Sequence, residues 1–318
     1  MKNKIDMLIL FYQKIRRTRF SIYDQLRMDE LSQILPCDIH LTYDRDKMPI
    51  ADVVVFNLPF LYNELEDDLE KPEHQIWVAW SYESEVNYPW MFSDELKDIF
   101  DLWMTYHLDS DIVLPYYDYT FKKKLFTPPC EKTKDVCMFI SSSVNNSHRL
   151  EYLSELMEYL PIDSYGSWRR NCVLDEDRGY ITKLDVIKQY KFTIAFENAV
   201  SKDYVTEKFF EPLIVGSVPV YLGAPNIEMF SPGERAFIDV RNYASPKSLA
   251  DDIMKYCQDN GIGYIGWSWK GNSGGVEYLD IANSWDGSVL SADWGENLVN
   301  GENGIKQTSV KCSVFTKE

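Results

Sequence analysis

Short, unbroken apolar runs recur along this 318-residue chain, and stretches of helical spacing or turn residues separate one run from the next. Ala51–Phe56 (ADVVVF) is the clearest. A strand of a parallel sheet is covered on both faces, so it reads as continuously apolar rather than alternating. Ile5–Phe11, Gln75–Trp80, Asp101–Tyr106, Val136–Ser141, Lys191–Glu197 and Val218–Leu222 read the same way. Asp38–Tyr43 alternates, and Ile162–Gly166 reads as a strand and turn. Between them, Phe20–Leu35 spaces Ile22, Leu26, Met28, Leu31 and Ile34 as one helical face. Further helices are expected at Ser147–Tyr159, Thr182–Tyr190, Thr206–Val215 and Pro246–Asp259. From Pro115 to Lys134 the pattern breaks: three prolines and a Lys122-Lys123-Lys124 run stand without periodicity, as in an interdomain linker. The expectation is an α/β protein with two Rossmann-like domains facing each other across a cleft, spanning 1–127 and 128–266. Residues 267–318 form a Gly-, Ser- and Asn-rich tail whose Trp267, Trp269, Trp285 and Trp294 have no assigned place.

Composition removes several function classes. The formal charge of −17 offers no basic footprint for nucleic acid. The only apolar run near the N-terminus, Met7 to Tyr12, is far short of the roughly 20 residues that span a bilayer. Six scattered cysteines lack metal-site spacing and suit reduced thiols in a cytoplasmic setting. Aromatic residues make up 14% of the chain, and Tyr and Trp suit the apolar face and hydroxyl rim of a sugar as well as they suit a core. In so acidic a chain, any site for a nucleotide diphosphate has to gather its few cations locally.

The residues from Phe192 to Gly223 read as strand, loop, helix, glycine stop, strand and glycine turn. Thr206 is placed to cap the helix, with Glu207 and Lys208 in its first turn. A helix N-terminus offers free N–H groups and partial positive charge to a phosphate. Lys208 there suits a pyrophosphate and Glu207 suits sugar hydroxyls. Taken alone, such a Glu-Lys pair is most often a solvated surface pair.

The order Phe192, Phe196-Glu197-Asn198, Asp203-Tyr204-Val205-Thr206-Glu207-Lys208, Val218-Pro219-Val220, Gly223 closely resembles the α-1,3-fucosyltransferases of glycosyltransferase family 10. The likeness extends to Phe139-Ile-Ser-Ser with Arg149, to Ile162–Gly166, to Gly223-Ala-Pro-Asn226 and to Ser245-Pro246. Its C-terminal half looks most like the plant-type branch, which acts on the innermost GlcNAc of N-glycans. The resemblance implies a GT-B fold, with an acceptor domain over 1–127 and a GDP-fucose domain over 128–266. It implies donor contacts from Arg149, Glu197, Asn198, Tyr204, Glu207 and Lys208. Protein cations and a helix dipole then neutralise the leaving diphosphate, and no metal is required. Asp109-Ser110-Asp111 has a metal-binding spacing, but the family carries that run without using it so, and a structural role at a strand end is expected.

Inversion needs a carboxylate that takes the proton of the attacking hydroxyl. The family places it in an aromatic-rich strand ending in Glu-Ser, matched here by Glu83-Ser84. The proline that follows in many members is Glu85 here, which makes Glu85 a rival base. Trp80, Tyr82 and Tyr88 stand near enough in sequence to contact an acceptor. The expected reaction moves L-fucose from GDP-fucose to the 3-hydroxyl of a GlcNAc residue, in an N-glycan core or a LacNAc-type glycan. The alternatives are a non-catalytic carbohydrate-binding protein on the same fold and a related transferase using another nucleotide sugar. The expected location is cytoplasmic, or the Golgi lumen if an anchor has been removed.

Overall fold

The computed structural model describes residues 5–13, 37–61, 70–117, 120–259, 282, 290 and 294–301. The expected helix over Phe20–Leu35 lies outside the described residues, as do Trp267, Trp269, Trp285 and Cys312. Trp294 opens a helix, Trp294–Asn300. The chain divides into two compact units: residues 1–115 with Ser201–Tyr204, and residues 116–200 with 205–318.

Unit 1 is built on strands β1 (Ile5–Phe11), β2 (Cys37–Thr42), β3 (Val53–Asn57), β4 (Ile76–Ser81), β5 (Leu102–Thr105) and β6 (Ile112–Val113). They form one parallel sheet in the order β2-β1-β3-β4-β5-β6. Leu10, Val54, Phe56, Trp77 and Ala79 are buried in its core together with Met91 and Phe100. One device recurs at the strand starts. Asp52, just before β3, accepts the Leu8 N–H of β1 at 2.7 Å, and Asp101, just before β5, accepts the Trp77 N–H of β4 at 2.6 Å. Asp111, just before β6, accepts the Trp103 N–H of β5 at 2.7 Å. Each carboxylate occupies a main-chain donor where the ladder has not yet begun.

Unit 2 carries β7 (Lys134–Met138), β8 (Asp163–Ser164), β9 (Tyr190–Phe196), β10 (Val218–Leu222) and β11 (Ile238–Asp239), in the order β11-β10-β9-β7-β8. All their pairings are parallel. Read from the other edge this is the winding of unit 1 again, with the first strand of each unit between its second and third. The chain reverses direction beside that first strand, which opens a crevice beyond the strand ends.

In unit 2, β9 shows why a fully buried strand lacks alternation in its sequence. Phe192, Ile194 and Phe196 face one core with Leu153, Leu156 and Ile253, while Ala195 faces another with Phe209 and Tyr221. Helices α1 (Arg149–Leu156) and α4 (Pro246–Asp259) cover the first face; α2 (Tyr180–Ile187) and α3 (Glu207–Ile214) are the other long helices. Helix α3 ends in a Schellman motif. Gly216 takes φ +72°, its N–H reaches Leu213 O at 3.2 Å, and the Ser217 N–H reaches Pro212 O at 2.9 Å.

The stretch expected as a linker differs from that reading. It holds a helical turn, Phe121–Leu125, because Tyr117 and Phe121 lay their rings against Phe210 of α3 at 4.8 and 5.3 Å. No helix among the described residues is long and apolar enough to cross a membrane. Cys37, Cys130, Cys137, Cys172 and Cys257 are free thiols.

Gly166 follows β8 in close contact with the end of β7. A Cβ there would lie 2.0 Å from Ile140 O, a main-chain atom that cannot rotate away. Gly166→Ala is therefore expected to cost about 2 kcal/mol or more in urea unfolding, the range of an overpacked core site. A midpoint unchanged from the parent would contradict the packing described.

Candidate active site

The C-terminal ends of β7 and β9 lie at the reversal point of unit 2, and Glu197, Thr206, Glu207 and Lys208 collect there. Phe196 ends β9, and Glu197 follows with its carboxylate fully buried. Its Oε1 accepts the Thr206 N–H at 2.7 Å, and its Oε2 accepts the Thr206 hydroxyl at 2.8 Å. Thr206 is extended, as an N-cap must be, and its Oγ1 accepts the Lys208 N–H at 3.4 Å. The Lys208 ammonium completes the knot, 3.0 Å from Thr206 Oγ1, 3.2 Å from Glu207 Oε1 and 3.5 Å from Glu197 Oε2. Gly223 makes room for it: a Cβ there would meet Glu197 Cγ at 2.6 Å and the Tyr221 hydroxyl at 2.4 Å.

Burial raises the Glu197 carboxyl above its ordinary range, partly offset by Lys208. Burial would lower Lys208, but the charges of Glu197 and Glu207 hold it above its ordinary value. The ammonium therefore stays charged at the first turn of α3, beside the N–H groups of that turn.

Arg149 is 1% exposed, and its fork is turned inward. Its Nη1 donates to Phe196 O at 3.0 Å, and its Nη2 donates to Ser142 O at 3.1 Å and Val144 O at 3.2 Å. A fixed cation thus lies under the ends of β7 and β9. Ser147 helps hold the same corner: its hydroxyl donates to Glu197 O at 2.6 Å and its N–H to Asn198 O at 3.1 Å. Asn198 and Glu207 are half-buried.

Two residues that sequence reasoning missed extend the charge pattern. Lys183 of α2 pairs with Glu211 of α3 at 2.5 Å, in a pair whose side chains are 23% and 9% exposed. Lys183 also helps hold Glu207 ionised against the effect of its burial. Nothing in the sequence marks Lys183, because a single lysine on a helix reads as solvated.

Unit 1 holds the other expected residues. At the end of β4, the Ser81 hydroxyl accepts the Glu83 N–H at 2.9 Å and donates to Glu83 O at 3.0 Å. The Ser84 hydroxyl then accepts the Val86 N–H at 3.1 Å, closing a second turn. Glu83 is half-buried, and its charge adds to burial in raising the Tyr88 hydroxyl. Trp80 meets Phe11 and Tyr82 edge-on, at 6.2 and 6.0 Å.

Glu85 behaves differently from Glu83. Tyr106 and Ser201 both donate hydroxyls to it, and His107 Nε2 lies 3.4 Å away. Burial would raise Glu85, but these hydrogen bonds pull it down to about 2. Tyr204 is also in this unit, its ring edge-on to Tyr106 at 5.0 Å and 3% exposed.

Of Asp109-Ser110-Asp111, Asp111 holds the Trp103 N–H and the Ser110 hydroxyl meets that of Thr105. These are contacts of a strand end. His107, Asp109 and Asp203 bring ligand-type atoms within 4.8 Å of one another. The Lys202 ammonium already stands 3.9 Å from both Asp109 and Asp203 as their counter-charge.

Two family descriptions match the chain: "Fucosyltransferase, N-terminal" over residues 4–117, and "Glycosyltransferase family 10 (fucosyltransferase) C-term" over residues 129–283. Alpha-(1,3)-fucosyltransferase B of Drosophila melanogaster is 33% identical over 244 residues, covering 69% of this chain and 54% of the fly protein. GDP-fucose protein O-fucosyltransferase 3 of Mus musculus is 38% identical over 176 residues, covering 53% of this chain and 35% of the mouse protein. The chain thus spans about half the length of the one and about a third of the other. A crystal structure of an alpha1,3-fucosyltransferase with GDP-fucose superposes with a TM-score of 0.55 at 16% identity, covering 92% of this chain and 88% of that one. At that identity the likeness carries the fold: α/β, of GT-B type, with two Rossmann-like units. With both halves of the chain matched, and with the hallmark residues knotted at the end of β9, the chain belongs to glycosyltransferase family 10, the fucosyltransferases.

Proposed function

We propose that the chain transfers L-fucose from GDP-fucose, with inversion, to the 3-hydroxyl of a GlcNAc residue. The observation that carries the reading is the knot of Glu197, Thr206 and Lys208. It keeps a charged ammonium and a capped helix N-terminus at the crevice end of unit 2, where a diphosphate gains most. Lys208, and Arg149 as a fixed charge beneath the strand ends, then stabilise the negative charge that grows on GDP as the bond to fucose breaks. Protein cations do this work in the proposal, so it calls for no metal. Asn198, Tyr204 and Glu207 are the remaining donor contacts in this reading.

The acceptor oxygen forms its bond to the anomeric carbon from the side opposite the leaving phosphate. Its proton passes to a carboxylate, and the electron pair of the broken bond stays with GDP. Glu83 is the better base of the two rivals. A base works best with a pKa near the working pH, whereas Glu85 is held near 2 by three donors. Trp80, Tyr82 and Tyr88, around the Glu83 turn, offer aromatic faces to an acceptor sugar.

The mouse relative's name favours a second reading of the acceptor alone, a protein hydroxyl in place of a glycan hydroxyl. A screen of LacNAc, lactose, a GlcNAc-terminated N-glycan core and a folded protein acceptor, scored by released GDP, separates the two. Release that no acceptor stimulates would contradict transfer itself.

Two substitutions test the roles. Glu83→Gln is expected to lower turnover about 100-fold or more, the usual contribution of a general base, with GDP affinity kept. Near-normal turnover would remove Glu83 from the role. Lys208→Ala is expected to raise the GDP dissociation constant about 10- to 100-fold, as for a lost charge-assisted hydrogen bond. Unchanged calorimetric affinity would contradict the phosphate contact.

A further inference from the structure

His107 stands between two carboxylates that no part of the proposed chemistry uses. Its Nε2 is 3.4 Å from Glu85 Oε2, and its Nδ1 is 3.4 Å from Asp203 Oδ2. Glu85 in turn takes the Ser201 hydroxyl on its other oxygen. Asp203, whose side chain is fully buried, also accepts the Leu108 N–H at 3.2 Å. Asp203 itself sits at φ +65°, a left-handed conformation that a non-glycine residue keeps only when its surroundings impose it. Beyond it, Tyr204 packs on Tyr106, whose hydroxyl donates to the same Glu85. The residues Ser201 to Tyr204 are thus gripped at both ends and in the middle, and two residues later the chain reaches the Thr206 cap.

We propose that His107 is a positioning residue whose imidazolium, held between Glu85 and Asp203, fixes the Ser201–Tyr204 loop that delivers the chain to the donor helix. Glu85 holds its turn to the Ser201–Tyr204 loop by charge and hydrogen bonds, and that hold needs its cation. Only the doubly protonated ring donates from both nitrogens, so a neutral His107 turns a lone pair towards one of the two carboxylates.

The other ionisable groups facing this point are Tyr106, whose ring lies 4.3 Å from the imidazole, Asp109, whose carboxylate comes within 4.8 Å of the imidazole and of Asp203, Lys202 beside Asp109 and Asp203, and Asp111 and Lys97 on the lining of an adjoining cavity. Burial opposes the charge on His107, but Glu85 and Asp203 outweigh it and raise the pKa above the ordinary 6.5. A folded-state value above the unfolded one contributes its full stabilisation below about pH 6.5, and that contribution is lost as pH rises through the folded value.

The inference rests on the fucosyl-transfer reading only for its consequence in the reaction, so the test reads the loop directly. Amide hydrogen exchange of the Ser201–Tyr204 segment is followed in the full chain from pH 5.5 to 9, corrected for intrinsic rates, alongside calorimetric titration with GDP. In the parent protein, protection is expected to fall severalfold as His107 loses its proton and one of its two carboxylate contacts is lost. His107→Gln should show low protection with no such step. His107→Arg keeps a permanent cation and should hold its protection to pH 9, which also tests the idea if the glutamine variant fails to fold. A step shared by all three proteins, or absent from the parent, would overturn the proposal. A step with no GDP binding at any pH would support the clamp while contradicting the donor reading.

Discussion

The candidate donor site depends on one buried carboxylate. Glu197 lies where β9 ends, and taking its charge out of water costs several kcal/mol unless partners replace the solvent. The partners are supplied from nine and eleven residues on, by Thr206 through its N–H and hydroxyl and by Lys208 through its ammonium. Satisfying Glu197 therefore brings the first turn of α3 back to the end of β9. Gly223, the only residue type that leaves room for the glutamate, closes the arrangement from β10. The same contacts that make the site foldable hold a cation and a helix N-terminus at the crevice end of the strand.

Much of the architecture was legible because parallel sheets leave a plain mark. Ile5–Phe11, Val218–Leu222 and Pro246–Asp259 match the reading from periodicity, the other expected strands shift by one to three residues at their ends, and the two-residue strands Ile112–Val113 and Ile238–Asp239 were not expected. The Thr206 cap was legible because capping is local: the hydroxyl that satisfies the helix belongs to the residue before it. The helical turn at Phe121–Leu125 was not, since it forms against Phe210, some ninety positions away, and no local pattern announces that contact.

Function was legible to a similar depth. The hallmark residues read as a donor site, but how each would be held was not readable. Arg149 turns its fork onto three main-chain carbonyls, a commitment invisible in a helix-initial arginine. Glu83 and Glu85 look alike two positions apart. Their environments separate them: residues 106, 107 and 201 converge on one carboxylate, while the other sits in a turn beside Tyr88. Lys183 and Glu211 carried no sequence signal, because their meaning lies in facing each other across two helices.

The central claim is that unit 2 presents a guanosine diphosphate site built on the Glu197 knot. Quenching of tryptophan fluorescence by GDP and by UDP, titrated side by side into the parent protein, tests it most directly. Saturable binding of GDP, at least about tenfold tighter than UDP and so worth about 1.4 kcal/mol, is the predicted result. Equal affinity for the two nucleotides, or none for GDP, would contradict it.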